Sequence, residues 1–341
     1  MDISNVRVGI IGATGVVGKQ VLEILSQREL VPRSIHLAAS KKSVGETLEF
    51  MGETLDVVEL TDDFFEEVDV VICSAGSKMS QTFLNQKNLS KVVAIDNCSY
   101  FRMNKDVPLI IPEINGEVLS QKPPKNIIAN PNCTTIAMLM AIAPIHKSMP
   151  IESVICSSYQ SVSGAGQKGI EELSMQVQTI FQMGESTNKV FSHRIAFNCI
   201  PVIGALDEDG YSEEENKMKN ETKKILDQNI NVSSTCVRVP TFVGHGLSLT
   251  LQMKSPVVIN EVRELLASAK GVKLLDAPEH NIYPILTDCQ AKDDVYVGRV
   301  RHGLNESSVN MWVVSDNLRK GAALNAVQIL EDVIEKNWFK N

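Results

Sequence analysis

The sequence lacks any apolar run long enough to cross a bilayer. Its opening residues, Met1-Asp2-Ile3-Ser4-Asn5, are polar and lead into a strand, so no signal peptide is expected. It also lacks a basic excess. Lys and Arg number 33 against 41 Asp and Glu, a net charge of −8 that argues against a nucleic-acid-binding surface but leaves room for a local anion site. The cysteines, at 73, 98, 133, 156, 199, 236 and 289, are odd in number and form no C-x-x-C pair. That excludes a disulfide framework and a zinc site, and predicts reduced thiols in a cytoplasmic protein with no metal. Internal repeats and low-complexity segments are absent too. What remains is an ordinary globular composition, in a chain of 341 residues, too long for one core. Two domains are the expectation.

Residues 6–11 read as an apolar strand, followed at once by Gly12-Ala13-Thr14-Gly15-Val16-Val17-Gly18. A helical pattern comes next over 19–27, with Val21, Leu22 and Leu25 at helical spacing. A strand, a glycine turn and a helix at the start of a chain form the phosphate cradle of a dinucleotide-binding unit. The spacing is G-x-x-G-x-x-G, not the commoner G-x-G-x-x-G, so its place between strand and helix carries the reading. Residues 34–39 are the second strand. NAD enzymes usually end it with an acid for the ribose hydroxyls. Here it ends in Ser40-Lys41-Lys42-Ser43, with no acid before Glu46. Hydroxyls and ammonium groups suit a 2′-phosphate, so NADP is expected, with either Lys41 or Lys42 facing it. Further strands are predicted at 68–73 and 92–96, with a crossover helix at 79–88.

The centre of the chain is Ala129-Asn130-Pro131-Asn132-Cys133-Thr134-Thr135. Residues 126–129 form a short apolar strand that Pro131 breaks, and 136–145 suit a buried helix. Cys133 stands at the joint, where unpaired N–H groups and the helix dipole favour a thiolate. Position alone leaves two readings, a nucleophile or a small buried hydrophobe. Past it, a β-prone run at 154–162 leads into Ser163-Gly164-Ala165-Gly166 and a helix at 168–181. Residues 184–210 are irregular. A charged helix at 212–228 opens on Ser212-Glu213-Glu214-Glu215, which resembles a capping box. Strands at 232–239 and 247–253 flank Pro240-Thr241-Phe242-Val243-Gly244-His245-Gly246. The two glycines would let the backbone turn sharply at His245 and the ring enter a cleft. A helix at 256–269 and strands at 295–301 and 308–315 follow. A last helix, 319–339, has so wide an apolar face that it must pack on something, and it is expected to return to the first domain.

These motifs, in this order, resemble the bacterial-type aspartate-β-semialdehyde dehydrogenases over essentially the whole chain. They are the glycine cradle, Pro131-Asn132-Cys133-Thr134-Thr135, Ser158-Tyr159-Gln160-Ser161-Val162-Ser163-Gly164-Ala165-Gly166, Arg238-Val239-Pro240 and Gly244-His245-Gly246. Asp316-Asn317-Leu318-Arg319-Lys320-Gly321-Ala322 is similar to the family's closing cofactor-side motif. The resemblance implies an α/β enzyme in two parts. Residues 1–131 plus 319–341 would form a doubly wound Rossmann-type NADP-binding domain, and 132–318 an α+β catalytic and dimerisation domain of a homodimer. The implied reaction is the reversible, NADP-dependent oxidation of L-aspartate 4-semialdehyde with phosphate to 4-aspartyl phosphate. It would run through a thiohemiacetal and an acyl-thioester on Cys133, and serve the biosynthesis of lysine, threonine, methionine and diaminopimelate.

By the same resemblance His245 is the general acid/base, and Gln160 orients the substrate beside the sulfur. Arg238 takes the α-carboxylate and Glu214 the ammonium, with Glu213 and Glu215 able to shift that register by one. Arg102, Lys217 and Asn132 bind phosphate. Gly12, Ala13, Thr14, Gly15, Val16, Ser40, Lys41, Ser43, Ser163, Gly164 and Asn317 meet the cofactor. The implied partners are a small-molecule substrate, phosphate and a second copy of the chain, with no nucleic acid and no membrane. Three rivals carry less. N-acetylglutamyl phosphate has no ammonium for a buried Glu214. Glyceraldehyde 3-phosphate has neither carboxylate nor amine. A non-catalytic NADP-binding sensor has no need of Cys133, Gln160, His245 and Arg238 together.

Overall fold

The apolar runs near the start of the chain become parallel strands, because a strand covered on both faces needs apolar side chains throughout. The structure, a computed structural model, describes residues 3–336 and residue 338. The chain divides into two units, residues 1–132 with 322–341, and residues 133–321. These cuts lie one and three residues beyond the expected ones.

In the first unit the strands are β1 (Arg7–Ile11), β2 (Ser34–Ala39), β3 (Thr47–Phe50), β4 (Glu53–Glu59), β5 (Val70–Cys73), β6 (Val93–Asp96) and β7 (Ile127–Ala129). Their order is β3-β4-β2-β1-β5-β6-β7, parallel but for β3. The chain leaves β1 toward β2 and later returns to β5 on the other side, so a topological switch point lies at the end of β1. Doubly wound sheets bind ligands there. Helices α1 (Val16–Gln27), α2 (Ser77–Phe83) and α3 (Pro112–Asn115) connect them. The β3–β4 hairpin was not anticipated. Its two-residue turn is Met51-Gly52, both at positive φ (50° and 88°), a conformation usually signalled by Asn-Gly. Helix α2 stops before the expected residue 88. The Asn85 side chain accepts the Asn88 N–H, offering the backbone an alternative to another helical turn.

The second unit holds α4 (Cys133–Ser148), β8 (Ile151–Gln160), α5 (Gln167–Phe181), α6 (Glu213–Ile225), β9 (Asn231–Arg238) and β10 (His245–Met253). It continues with α7 (Ile259–Ser268), β11 (Val272–Leu274), β12 (Val295–His302) and β13 (Ser308–Ser315). Its six strands form one mixed sheet in the order β11-β12-β13-β10-β8-β9. Every side chain of α4 from Thr134 to Ala143 is buried, and the helix packs on β8, β12, β13, α6 and α7. The capping box that opens α6 is present. Ser212 Oγ accepts the Glu215 N–H, and Glu215 Oε2 accepts the Ser212 N–H at 2.7 Å.

The last helix, α8 (Leu324–Glu335), begins after a wide π turn at Arg319–Ala323, five residues later than expected. Its Ala326, Val327, Leu330, Val333 and Ile334 share one core with Val21, Leu25, Ile110 and Ile128 of the first unit. Residue 339, the expected end of the helix, lies outside the described residues.

Candidate active site

At the end of β1 the chain turns at Gly12, whose φ of 85° suits only glycine, and where a Cβ would lie 2.9 Å from the Ser74 carbonyl carbon. Gly15 precedes α1. No side chain caps that helix, and no acid sits in its first turn. From Val16 onward its positive end is therefore open to an anion. Gly18 lets the helix lie against the turn, since a Cβ there would come 2.5 Å from Gly12 O. Thr14 Oγ1 donates to Ser43 Oγ at 3.2 Å, tying the cradle to the loop after β2, where Ser40, Lys41 and Lys42 are exposed. This cradle, which added side chains would fill, fits a dinucleotide pyrophosphate held by residues 12–16. Gly18→Ala should cost about 1–3 kcal/mol of stability, because the backbone of Gly12 and Ala13 must move. It should weaken cofactor binding as well, and calorimetric melting with cofactor titration checks both.

In the second unit, sheet register aligns residues far apart in sequence. Gln160 ends β8, and its partners across the sheet are Arg238, the last residue of β9, and His245, the first of β10. His245 in turn pairs with Ser315, which ends β13. Arg238, Gln160, His245 and Ser315 thus form one row across four strands, projecting from the same face. All four are buried. Gln160 Nε2 donates to Ser158 Oγ at 3.1 Å.

The turn expected at His245 lies one residue earlier. Gly244 has a φ of 93°, while His245 is extended strand. Gly246 serves packing instead, since a Cβ there would meet the Trp312 ring at 2.6 Å. The Ser161 backbone N–H donates to His245 Nδ1 at 3.2 Å. Burial, and then the Arg238 charge, push the imidazole down to about 3. The ring is therefore held in its neutral form. Nε2 is buried with no hydrogen-bond partner among the described residues, and it faces Gly164, where an added Cβ would lie 3.5 Å away.

Arg238 Nη1 donates to Ser161 O at 2.7 Å. Burial lowers its pKa, while the neighbouring Glu214, Cys133 and Cys236 pull the other way, and the guanidinium stays charged. A Cβ on Gly164 would lie 2.7 Å from Nη1, so glycine there leaves space for Arg238. The register within 213–215 is clear in the structure. Glu213 is exposed, and Glu215 is spent on the capping box and on the Cys236 N–H at 2.9 Å. Glu214 is buried, its Oε1 accepting from Thr134 Oγ1 and its Oε2 facing Lys217 Nζ, both at 3.3 Å. The residues expected for ammonium and phosphate are thus an ion pair on one helical face.

Two residues not singled out in the sequence hold Cys133. Thr134, the next residue of α4, links that helix to Glu214 on α6. Gly321 packs against the cysteine itself, and a Cβ there would lie 2.8 Å from Cys133 Cβ. The closing motif that contains Gly321 was the available signal. Asn317, expected at the cofactor, is 2% exposed and has both carboxamide atoms engaged within the second unit, with Gly244, Ser161 and Ser163. Ser163 is buried with it, while Gly164 is exposed. In the first unit Arg102 is buried and donates from Nη2 to Asn97 O at 2.7 Å, and buried Asn132 directly precedes Cys133.

The first unit also contains a buried cluster of Cys73, Asp96 and Cys98. The Asp96 carboxylate accepts from Ser80 Oγ at 2.5 Å and from the Cys98 N–H at 3.0 Å. Burial raises the Asp96 carboxyl, and the adjacent Cys73 together with burial raises the Cys98 thiol. Among the described residues no helix is long and apolar enough to cross a membrane.

Comparison with known proteins accords with this geometry. Residues 7–122 match the family model of the semialdehyde dehydrogenase NAD binding domain, and residues 142–320 that of the semialdehyde dehydrogenase dimerisation domain. The chain is 43% identical to the aspartate-semialdehyde dehydrogenase of Aquifex aeolicus over 97% of its own length and 98% of that protein's. It is 42% identical to aspartate-semialdehyde dehydrogenase 2 of Vibrio cholerae, over 98% of each. A crystal structure of aspartate semialdehyde dehydrogenase II from Vibrio cholerae, complexed with ASA, superimposes with a TM-score of 0.94. That match is at 41% identity over 97% of this chain and 98% of that one. Two family models and relatives alike along nearly their whole length place the chain in the aspartate-semialdehyde dehydrogenase family.

Proposed function

We propose that this chain catalyses the reversible, NADP-dependent, phosphorylating oxidation of L-aspartate 4-semialdehyde to 4-aspartyl phosphate, as a homodimer, within aspartate-family amino-acid biosynthesis. One observation carries the reading. Arg238, Gln160 and His245 form a single buried row, with Arg238 close enough to the Cys133 sulfur to feel its charge.

Cys133 Sγ is the nucleophile that adds to the aldehyde carbon, on a helix N-terminus that favours its thiolate. Arg238 holds the α-carboxylate, and the buried Glu214 carboxylate the ammonium. Gln160 borders the reacting carbon, and His245 serves its oxygen as general acid/base. Lys217, Arg102 and Asn132 bind the phosphate that attacks the thioester and releases Cys133 as thiolate. The bound dinucleotide supplies the hydride acceptor, or the donor in reverse. Residues 12–16 would hold its pyrophosphate, Ser40, Lys41 and Ser43 its 2′-phosphate, and Ser163 and Gly164 would border its nicotinamide. The NADP reading is supported by the absence of an acid at the end of β2 and by the Thr14–Ser43 bond. The dimer reading is supported by the matched dimerisation domain and by Ile155 and Tyr159, exposed on the sheet.

The test follows nicotinamide reduction with the aldehyde as substrate, with NADP⁺ against NAD⁺ and with phosphate present or absent. Turnover should require phosphate, and kcat/KM should favour NADP⁺ by about tenfold or more, the worth of one good charge-assisted contact. Turnover indifferent to phosphate would refute the acyl-enzyme route. A preference for NAD⁺ would refute the Ser40–Ser43 reading. Reaction only with N-acetylglutamyl semialdehyde would move the substrate.

A further inference from the structure

Between α5 and α6 the described chain has no helix or strand, so over residues 187–196 its polar backbone is tied down by side chains. Two of them come from one face of α5. Glu172 is 4% exposed. Its Oε2 accepts the Lys189 and Val190 N–H groups at 2.8 and 2.6 Å, and its Oε1 accepts the Phe191 N–H at 3.2 Å. Gln176, one helical turn on, accepts the Ile195 and Ala196 N–H groups on Oε1 and donates from Nε2 to Thr187 O and Asn188 Oδ1.

The segment fastened in this way borders Arg238. Val190, Phe191 and Ser192 line a cavity of about 360 Å³ together with Ile200, Val202 and Arg238. Among the described residues Arg238 is the one charged side chain on its wall. Ile200 also exchanges backbone hydrogen bonds with Arg238, N–H to O at 2.9 and 2.8 Å. One end of the segment is thus tied to the strand that carries Arg238, and the other to α5.

We propose that Glu172 is a positioning residue for substrate binding. Its carboxylate fixes the backbone of 189–191 as one wall of the Arg238 cavity, so that a substrate carboxylate meets the guanidinium in a shaped, mostly apolar space. The inference rests on the proposed function for the role of Arg238.

A buried carboxylate must find donors, and three consecutive backbone N–H groups supply them here without a cation. The benefit is mutual. Lys189 and Val190 are exposed, so water competes for this backbone, and the segment keeps one shape only while a stronger, fixed acceptor holds it. Shape supports the charge. Gly169 of α5 leaves room for Phe191, since a Cβ there would lie 3.2 Å from its ring. Among the described residues Glu172 makes no hydrogen bond to Cys133, Gln160 or His245. Its influence therefore falls on binding and leaves the chemical step alone.

Glu172→Gln keeps the size of the side chain, removes its charge and turns one acceptor into a donor. It should raise KM for L-aspartate 4-semialdehyde about tenfold or more, with kcat within about threefold and cofactor KM as in native enzyme. Hydrogen exchange read by mass spectrometry should quicken over 187–196 and stay native in β8 and β10. A second measurement needs no change at Glu172. Cys133→Ala holds the aldehyde without reacting, and bound aldehyde should slow exchange at 189–191, which decides the matter even if Glu172→Gln fails to fold. A folded Glu172→Gln enzyme with native KM, or with lowered kcat at native KM, would overturn the proposal. So would exchange at 189–191 that ignores bound aldehyde. If native enzyme instead turns over N-acetylglutamyl semialdehyde, the substrate assignment fails, and the same split between KM and kcat with that aldehyde would still support the role of Glu172.

Discussion

Cys133→Ala is expected to abolish turnover, by about four orders of magnitude or more, as when a covalent nucleophile is removed. The other thiols are poor substitutes. Cys236 is buried, its thiol pushed up to about 12, and it packs on Met218 Sδ. Cys156, further back along the same face of β8 as Gln160, is raised well above the usual thiol range by burial. Cys73 and Cys98 belong to the first unit, and Cys199 is exposed in the irregular segment between α5 and α6. Nothing in the cradle changes, so dinucleotide binding should persist. Initial rates, cofactor titration and mass spectrometry after brief alkylation test this together. A variant that turns over within tenfold of native, or a native Cys133 that alkylates no faster than Cys199, would remove the nucleophile from the mechanism.

Arg238→Lys should raise KM for the aldehyde about ten- to a hundredfold, the equivalent of about 1–3 kcal/mol for a desolvated charge-assisted contact. The native guanidinium can hold the Ser161 carbonyl through Nη1 and still present a planar fork. A compact ammonium cannot do both. Lysine also gives up pre-organised planar contact at a position almost sealed from solvent. A substrate analogue lacking the α-carboxylate separates the causes. Native enzyme should discriminate strongly against it, and the variant should not. An unchanged KM would mean that the carboxylate is held elsewhere.

Both residues stood out in the sequence, Cys133 by its local pattern and Arg238 through the family motif that contains it. Cys133 stands where a broken strand meets an apolar helix, and Arg238 ends a β-prone run before proline. The β3–β4 hairpin was not legible, because Met51-Gly52 adopts a turn that other residues signal better. The early end of α2 was hidden as well, since Asn85 competes for the backbone through its side chain. The functions of Thr134 and Gly321 were invisible for a different reason. Each depends on a partner far along the chain, Glu214 for one and Cys133 for the other.

By itself the sequence determined what short-range chemistry decides. Its apolar periods set most of the strands and helices, the glycines of 12–18 the phosphate cradle, the missing acid after β2 the cofactor expectation, and the ordered motifs the family. Only the tertiary structure decided how the candidate site residues are arranged. Sheet register across β9, β8, β10 and β13 brings Arg238, Gln160, His245 and Ser315 into one row, although Gln160 and His245 are 85 residues apart. The same packing buries His245 beside the Arg238 charge, which pushes its imidazole down to about 3, and turns Asn317 inward. A pKa depends on burial and on which charges arrive from other strands, and those effects have no counterpart in a local stretch of chain.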